Sequence, residues 1–233
     1  MPLITKIRKG LARTKKKNFY ARFIREGDLC FDIGANIGEK SALFLSLGAR
    51  VVAVEPQTRC MPALDALKRK YKDRFTIVKA AVADEPGHAE IHLGNVSEVS
   101  TLSKEFMKQF GMGGQLTWNE KENVEVITIG ELISDHGVPD VCKIDTEGFE
   151  EKVFAGLKQR INTIEFEFTP PFILQTKACI GKCALLGEAT FNYNIYEQPV
   201  LQQKKWMDGQ EMLKQLDRIS PNIIHGNIFV RYT

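Results

Sequence analysis

The sequence predicts a doubly wound α/β protein, and three observations carry that expectation. A short apolar run, Leu29-Cys30-Phe31-Asp32-Ile33, stops at a glycine turn spanning Gly34 to Gly38, and a helical pattern opens at Glu39. A second apolar run, Val51-Val52-Ala53-Val54, ends in Glu55-Pro56 at the distance of the next parallel strand and its terminal acid. Helix-like and strand-like segments then keep alternating, which is the signature of a parallel sheet with crossover helices.

Size and composition agree with one soluble domain. The chain has 233 residues, 43% hydrophobic and 26% charged, enough to bury a full core. No stretch approaches the roughly 18 apolar residues of a membrane span. Five scattered cysteines, an odd number, fit a reducing cytoplasm better than a disulfide framework. Cys30 and Cys142 fall in predicted strands as small apolar groups. Cys179 and Cys183 stand one helical turn apart with no partnering histidine, and read as core rather than zinc ligands.

The net charge of +3 conceals a division. Residues 1–25 hold nine Lys/Arg and no acid, leaving 23 basic against 29 acidic residues in the rest. Residues 1–26 therefore read as a basic helical arm, and residues 27–233 as a single domain. The arm is expected to lie over the sheet as a solvated helix with Leu3, Ile4, Ile7 and Leu11 as its apolar stripe. Phe19, Tyr20, Phe23 and Ile24 would anchor it. It also offers a surface for an anionic partner, whether lipid, nucleic acid or acidic protein. No continuous apolar segment follows the charges, so it is not a signal peptide.

Taken in order, the first strand covers about 28–33 and its helix 37–47, closed by Gly48. The second strand is 50–54, followed by a helix from Pro62 to Lys72 with Leu64 and Leu67 inward. Phe75 to Val82 reads as the third strand, with Ala83 and Asp84 at its carboxyl end. Ala89 to Leu93 alternates like an antiparallel arm. From 94 to 123 periodicity is lost, and an irregular stretch this long inside a domain suggests a cap or lid. Val124 to Ile127, a short helix from Ile129 and the fourth strand, Val141 to Asp145, come next. A helix follows Thr146-Glu147-Gly148. The fifth strand runs from Ile161 to Phe168, a helix covers about 172–188, and strands near 192–197 and 223–231 close the sheet as an antiparallel hairpin.

The first turn discriminates between ligands. A pyrophosphate needs bare N–H groups with no anion beside them. Here Asp32 precedes the turn, Asn36 sits in its middle and Glu39 starts the helix. Two carboxylates at that mouth repel phosphate and welcome the ammonium and sulfonium charges of S-adenosylmethionine, at about 1–4 kcal/mol per contact. Glu55 would accept both ribose hydroxyls and Asp84 the adenine amine. Gly34 and Gly38 would allow close approach. Each acid also has an ordinary role as a turn or capping residue.

At these residues the chain resembles a known family. DIGANIG, VVAVEP, AAVADEPG and above all VCKIDTEGFEEKVFAGL are similar to the FkbM-type class I methyltransferases, across roughly residues 28–168. The resemblance implies a seven-stranded, mostly parallel Rossmann-like sheet, S-adenosylmethionine as donor, and methyl transfer to a hydroxyl oxygen of a small molecule or sugar.

Asp145, at the end of the fourth strand, is expected in the same crevice as Asp32, contacting cofactor and acceptor. A hydroxyl acceptor must lose a proton, which makes Asp145, Glu147 and Glu150 candidate bases, with Asp145 and Glu147 preferred. Asp145, Glu147 and Glu165 form a possible oxygen cluster for a divalent cation, though no metal is expected. Glu165 and Glu167 alternate with Ile164, Phe166 and Phe168 on a strand that should be apolar on both faces, a conflict of the kind that marks a site. His88 and His92 lie near the cap, while His136 and His225 read as structural. Three other readings stay open: a nucleic-acid methyltransferase using the basic arm, a nicotinamide oxidoreductase, and a cofactor-binding protein without transfer. A homodimer is also compatible with the sequence.

Overall fold

The computed structural model describes residues 3–220 and 222–232, and the side chains of residues from 10 onward among them. The glycine turn joins β1 (Leu29–Ile33) to α2 (Glu39–Ser46), preceded by α1 (Leu3–Tyr20). β2 (Arg50–Val54), α3 (Met61–Tyr71) and β3 (Phe75–Val78) complete one half of the sheet. The other half comprises β7 (Val141–Ile144), α6 (Glu150–Ala155), β8 (Thr163–Phe168), α7 (Ile173–Leu186), β9 (Ala189–Ile195), α8 (Gly209–Leu216) and β10 (Gly226–Tyr232). Between the halves lie β4 (Ala81–Ala83), β5 (Gly87–Leu93), α4 (Lys104–Gly111), β6 (Glu120–Thr128) and α5 (Ile129–His136).

The seven-stranded sheet has the order β3-β2-β1-β7-β8-β10-β9. β3 through β8 run parallel, and β10 is antiparallel to both β8 and β9. The expected sheet and its closing hairpin are therefore present. Strand order reverses between β1 and β7, and ligands of such sheets bind beyond the carboxyl ends at that reversal. Among the described residues no helix is long and apolar enough to cross a membrane.

Period-two alternation assigns the two faces. Phe31, Ile33, Ile144, Ile164 and Phe166 point to one side, packed with Ile129 and Leu132 of α5, Phe154 of α6 and Cys179 and Cys183 of α7. Cys30, Val51, Ala53 and Phe229 point to the other, under Phe19 and Tyr20 of α1, Phe44 of α2 and Leu64 of α3. All five cysteines are free and buried.

Three expectations change. The run Phe75–Val82 is two strands: β3 stays in the main sheet, while β4 pairs with β6 in a separate three-stranded sheet, β4-β6-β5. A continuous apolar run carries no information about which partner receives its backbone hydrogen bonds. The stretch 94–123 is ordered rather than irregular. Ser103 caps α4 by accepting from the Phe106 N–H, and Phe106 packs on Phe110 with ring centroids 4.6 Å apart and on Phe172 at 6.0 Å. Short aromatic-anchored helices of this kind lack enough turns to register as periodic. Third, Leu11, placed in the apolar stripe of α1, is 60% exposed, while the side chains of Leu3, Ile4 and Ile7 lie outside the described residues. Phe19, Tyr20 and Ile24 do anchor the arm.

Helix α8 went unread in the long connection before β10. Its signal is local: Asp208 accepts from the Glu211 N–H while the Glu211 carboxylate accepts from the Asp208 N–H, a reciprocal capping box spelled Asp-x-x-Glu.

Candidate active site

A cavity of about 780 Å³ opens beyond the carboxyl ends of β1, β2 and β7, within the usual size range of small-molecule sites. Its floor is the first turn. Gly34 takes φ +77°, and a Cβ there would stand 1.7 Å from the Asp145 carbonyl oxygen, so only glycine lets β1 and β7 end side by side. Gly38, at φ +83°, caps α2, and a Cβ there would meet the Leu67 and Leu64 methyls of α3 at 2.5 and 2.9 Å.

Glu55 stands at the end of β2 with 2% exposure. One of its oxygens accepts from the Asn36 N–H at 2.8 Å and the other from the Gln57 N–H at 2.9 Å. Burial raises its pKa, and the two backbone donors offset that rise in part. Asn36 is held at φ +48° and its Oδ1 accepts from the Cys60 thiol at 3.2 Å. Each Glu55 oxygen thus keeps one free lone-pair direction for a ligand hydroxyl.

Asp32, expected at the mouth, does not line the cavity. It is fully buried, because strand alternation turns it under α2, where the Ser41 hydroxyl donates to it at 2.6 Å. Lys143, beside it in register, lies 3.9 Å from Asp32 and 2.9 Å from Asp145. Burial works against the Lys143 charge, but the two carboxylates prevail and its pKa ends above the ordinary value. Ala83 and Asp84 also lie outside the cavity lining. Splitting of the third strand carries them away, Asp84 pairs with Lys152 at 2.8 Å near the surface, and Ala80, Ala81 and Val82 form the wall instead.

The turn after β7 gathers carboxylates. Asp145 and Glu147 line the cavity, and each brings an oxygen within 4.8 Å of the other and of Glu167. Glu147 occupies φ +53°, a strained conformation for a residue with a Cβ, followed by Gly148 at φ +83°. The turn is braced from two sides. Glu150 accepts from the Thr146 N–H at 2.7 Å, and the buried Thr101 hydroxyl donates to the Glu147 carbonyl at 2.7 Å. Burial and the neighbouring Glu167, Asp145 and Glu150 carboxylates push the Glu147 pKa well up. Burial and Asp145 push Glu167 up to about 8 despite the His225 ring 3.2 Å away. Burial and like charge thus favour the protonated forms of Glu147 and Glu167.

The conflict in β8 resolves into two contacts. Glu167 joins the cluster that had been expected to include Glu165. Glu165 instead accepts from the Tyr20 hydroxyl at 2.7 Å and pairs with Lys40 at 3.2 Å. His225, read as structural, thus touches the acidic cluster, while His88 and His92 stay outside the cavity lining. Sequence reasoning also missed Gln57, Lys40, Glu197 and most of the loop from Ser97 to Leu102, which border the cavity. Arg59 ties that last loop down, donating to the Gln57 side chain at 2.8 Å, to the Gly94 carbonyl at 2.8 Å and to the Ser100 hydroxyl at 2.6 Å. The one available signal was Gln57 itself, a polar residue two places beyond the strand-end acid.

Comparison with known proteins gives a family match. The family model described as the methyltransferase FkbM domain matches residues 32–217. The 31-O-demethyl-FK506 methyltransferase FkbM of Streptomyces tacrolimicus is 27% identical over an alignment of 160 residues, and the match covers 58% of this chain and 61% of that protein. The match therefore spans less than two thirds of that relative. Among solved structures, the precorrin-6Y C5,15-methyltransferase of Geobacter metallireducens aligns with a TM-score of 0.45 at 13% identity, covering 95% of this chain and 87% of the other. An rRNA methylase from Streptococcus thermophilus aligns with a TM-score of 0.45 at 9% identity, covering 92% of each chain.

Proposed function

The chain belongs to the methyltransferase FkbM domain family, and from that premise we propose that it transfers a methyl group from S-adenosylmethionine to a hydroxyl oxygen of a small molecule or sugar. The observation that carries this reading is Glu55, a buried carboxylate clamped by the Asn36 and Gln57 N–H groups above a glycine floor. That arrangement suits a vicinal diol.

The remaining residues fit the donor. A Cβ at Gly34 would fill the cradle, and Asp145 Oδ1 is buried with no hydrogen-bond partner among the described residues, ready to accept from an ammonium group. When bound, S-adenosylmethionine supplies an electrophilic methyl group on a positively charged sulfur. Glu55, Asn36 and Gly34 hold and orient the ligand, and Ala80, Val82 and Ile91 exclude water from an aromatic ring. Glu147 takes the acceptor proton. Its pKa is raised by burial and the neighbouring carboxylates, and a cationic ligand nearby would favour the ionised form needed for a base. The Streptomyces relative is a 31-O-demethyl-FK506 methyltransferase, which supports oxygen as the target.

Calorimetry with S-adenosylhomocysteine tests the reading. The wild type is expected to bind, and Glu55→Ala to bind about 10–100-fold more weakly, the loss of hydrogen bonds to a charged group. Absence of wild-type binding overturns the assignment.

A further inference from the structure

Helix α1 brings two cations to the edge of the cavity. Leu11 points to solvent, whereas Ala12, Arg13 and Lys16 form one side of the cavity. Positions 13, 16 and 20 share a helix face, and Tyr20 on that face is buried against Glu165. Lys16 on this face is half-buried, Arg13 borders the cavity while remaining exposed, and Lys15 and Lys17, off the face, are exposed. A helix laid on a sheet ordinarily sends its cations outward, so two cations directed at a cavity are a local conflict that marks a site.

The other cations around the cavity are already committed. Lys40 uses all three N–H groups, on the Tyr20 hydroxyl at 2.7 Å, Glu165 at 3.2 Å and Glu197 at 3.1 Å. Lys143 is held between Asp145 and Asp32. Lys16 spends one N–H on Glu197 at 3.2 Å and keeps two, and Arg13 has no ion pair among the described residues. Glu197 is a fixed post for this arrangement. It sits at φ +52° directly after Tyr196 at φ +53°, and although burial disfavours its charge, Lys40 and Lys16 hold its pKa down at about 2.

We propose that Arg13 and Lys16 bind the amino-acid carboxylate of the methyl donor, so that the N-terminal helix completes the cofactor site. The inference rests on the cofactor reading above. With the ribose diol on Glu55, the amino-acid end of the donor would fall to the residues lining the rest of the cavity, Asp145, Glu147 and Glu197 among them. Asp145, Glu147 and Glu197 stand there and repel an anion, so the single carboxylate of the donor needs a cation that is not already paired. The planar guanidinium of Arg13 matches a carboxylate with two parallel donors, and Lys16 adds a point charge oriented by Glu197.

The test compares S-adenosylmethionine with its decarboxylated analogue, which keeps the sulfonium and the amine, by calorimetry on the full chain. Wild type is expected to favour the intact donor by about 10–100-fold, the range of charge-assisted hydrogen bonds. Arg13→Ala and, separately, Lys16→Gln should weaken the intact donor about tenfold or more, leave the analogue unchanged, and keep the melting temperature. Arg13→Lys should restore part of the loss. Unchanged affinity for the intact donor in both variants, or equal loss of both ligands, overturns the proposal while the cofactor reading stands. Failure of wild type to bind either ligand removes both.

Discussion

On one face of the sheet Phe31, Ile144, Ile164 and Phe166 meet α5, α6 and α7 in a wholly apolar layer, while on the other Asp32, Lys143 and Glu165 stand side by side in register on β1, β7 and β8. Both layers are buried. The first is held by volume, and any side chain of similar shape serves there at modest cost. The second is held by pairing. Lys143 answers Asp32 and Asp145, Lys40 and Tyr20 answer Glu165, and each member depends on the presence of its partner. Buried ion pairs add little net stability relative to apolar replacements, yet removing one partner strands a charge. Their presence next to a cavity therefore reads as a cost of the site, not as a device for stability.

The sharpest way to break this comparison is to delete one charge and one ring. Lys143→Met should destabilise the fold by about 3–5 kcal/mol in urea denaturation, because two carboxylates lose their cation. Phe166→Ala on the apolar face should cost about 3–5 kcal/mol as well, from lost burial and a cavity. Only a further change, Lys143→Met combined with Asp32→Leu and Asp145→Leu, should recover stability, and it should do so without recovering cofactor binding. A Lys143→Met variant as stable as wild type would show that the polar row is not an interdependent unit.

A smaller effect concerns pH. Glu167 rises from its ordinary 4.5 to about 8 in the folded protein, so the folded state binds its proton more tightly than the unfolded chain. That contribution is fully present below about pH 4.5 and is lost as pH climbs through about 8. His225, raised chiefly by its hydrogen bond with Glu167, acts in the same direction above its ordinary 6.5. Denaturation curves collected from pH 5 to pH 8.5 should therefore show falling stability (roughly the span of these two titrations), and Glu167→Gln should flatten the slope. A slope unchanged in that variant would assign the titration elsewhere.

The smallest effect sharpens the boundary of the site. Asp84 pairs with Lys152 near the surface, outside the cavity lining. Asp84→Asn should leave S-adenosylhomocysteine affinity within about a factor of two, as expected for an exposed ion pair. A tenfold loss would return Asp84 to the adenine end of the site.

Much of this was legible in advance for a local reason. The spacing of Asp32, Gly34, Gly38 and Glu55 is set by two successive strands, one turn and one helix, and nothing distant is needed to read it. The glutamates of β8 announced themselves as misfits in an apolar strand, and both found partners. What stayed hidden was distant in sequence or balanced between alternatives. No local pattern says that β4 leaves the main sheet for β6, or that Arg59 ties a loop some 40 residues away.

The amino-acid order by itself determined the alternating framework, the glycine-floored turn and the two strand-end acids, because side-chain periodicity and the conformational demands of glycine act within a few residues. Only the tertiary structure decided which charges meet. Tyr20 reaches Glu165 across 145 positions and Lys40 reaches Glu197 across 157. It also decided that Asp32 is sealed beneath α2, and that a basic helix turns Arg13 and Lys16 to the cavity. Those contacts follow from how α1 and α2 pack on one face of the sheet, and electrostatic partnership depends on distance in space, which no spacing along the chain encodes.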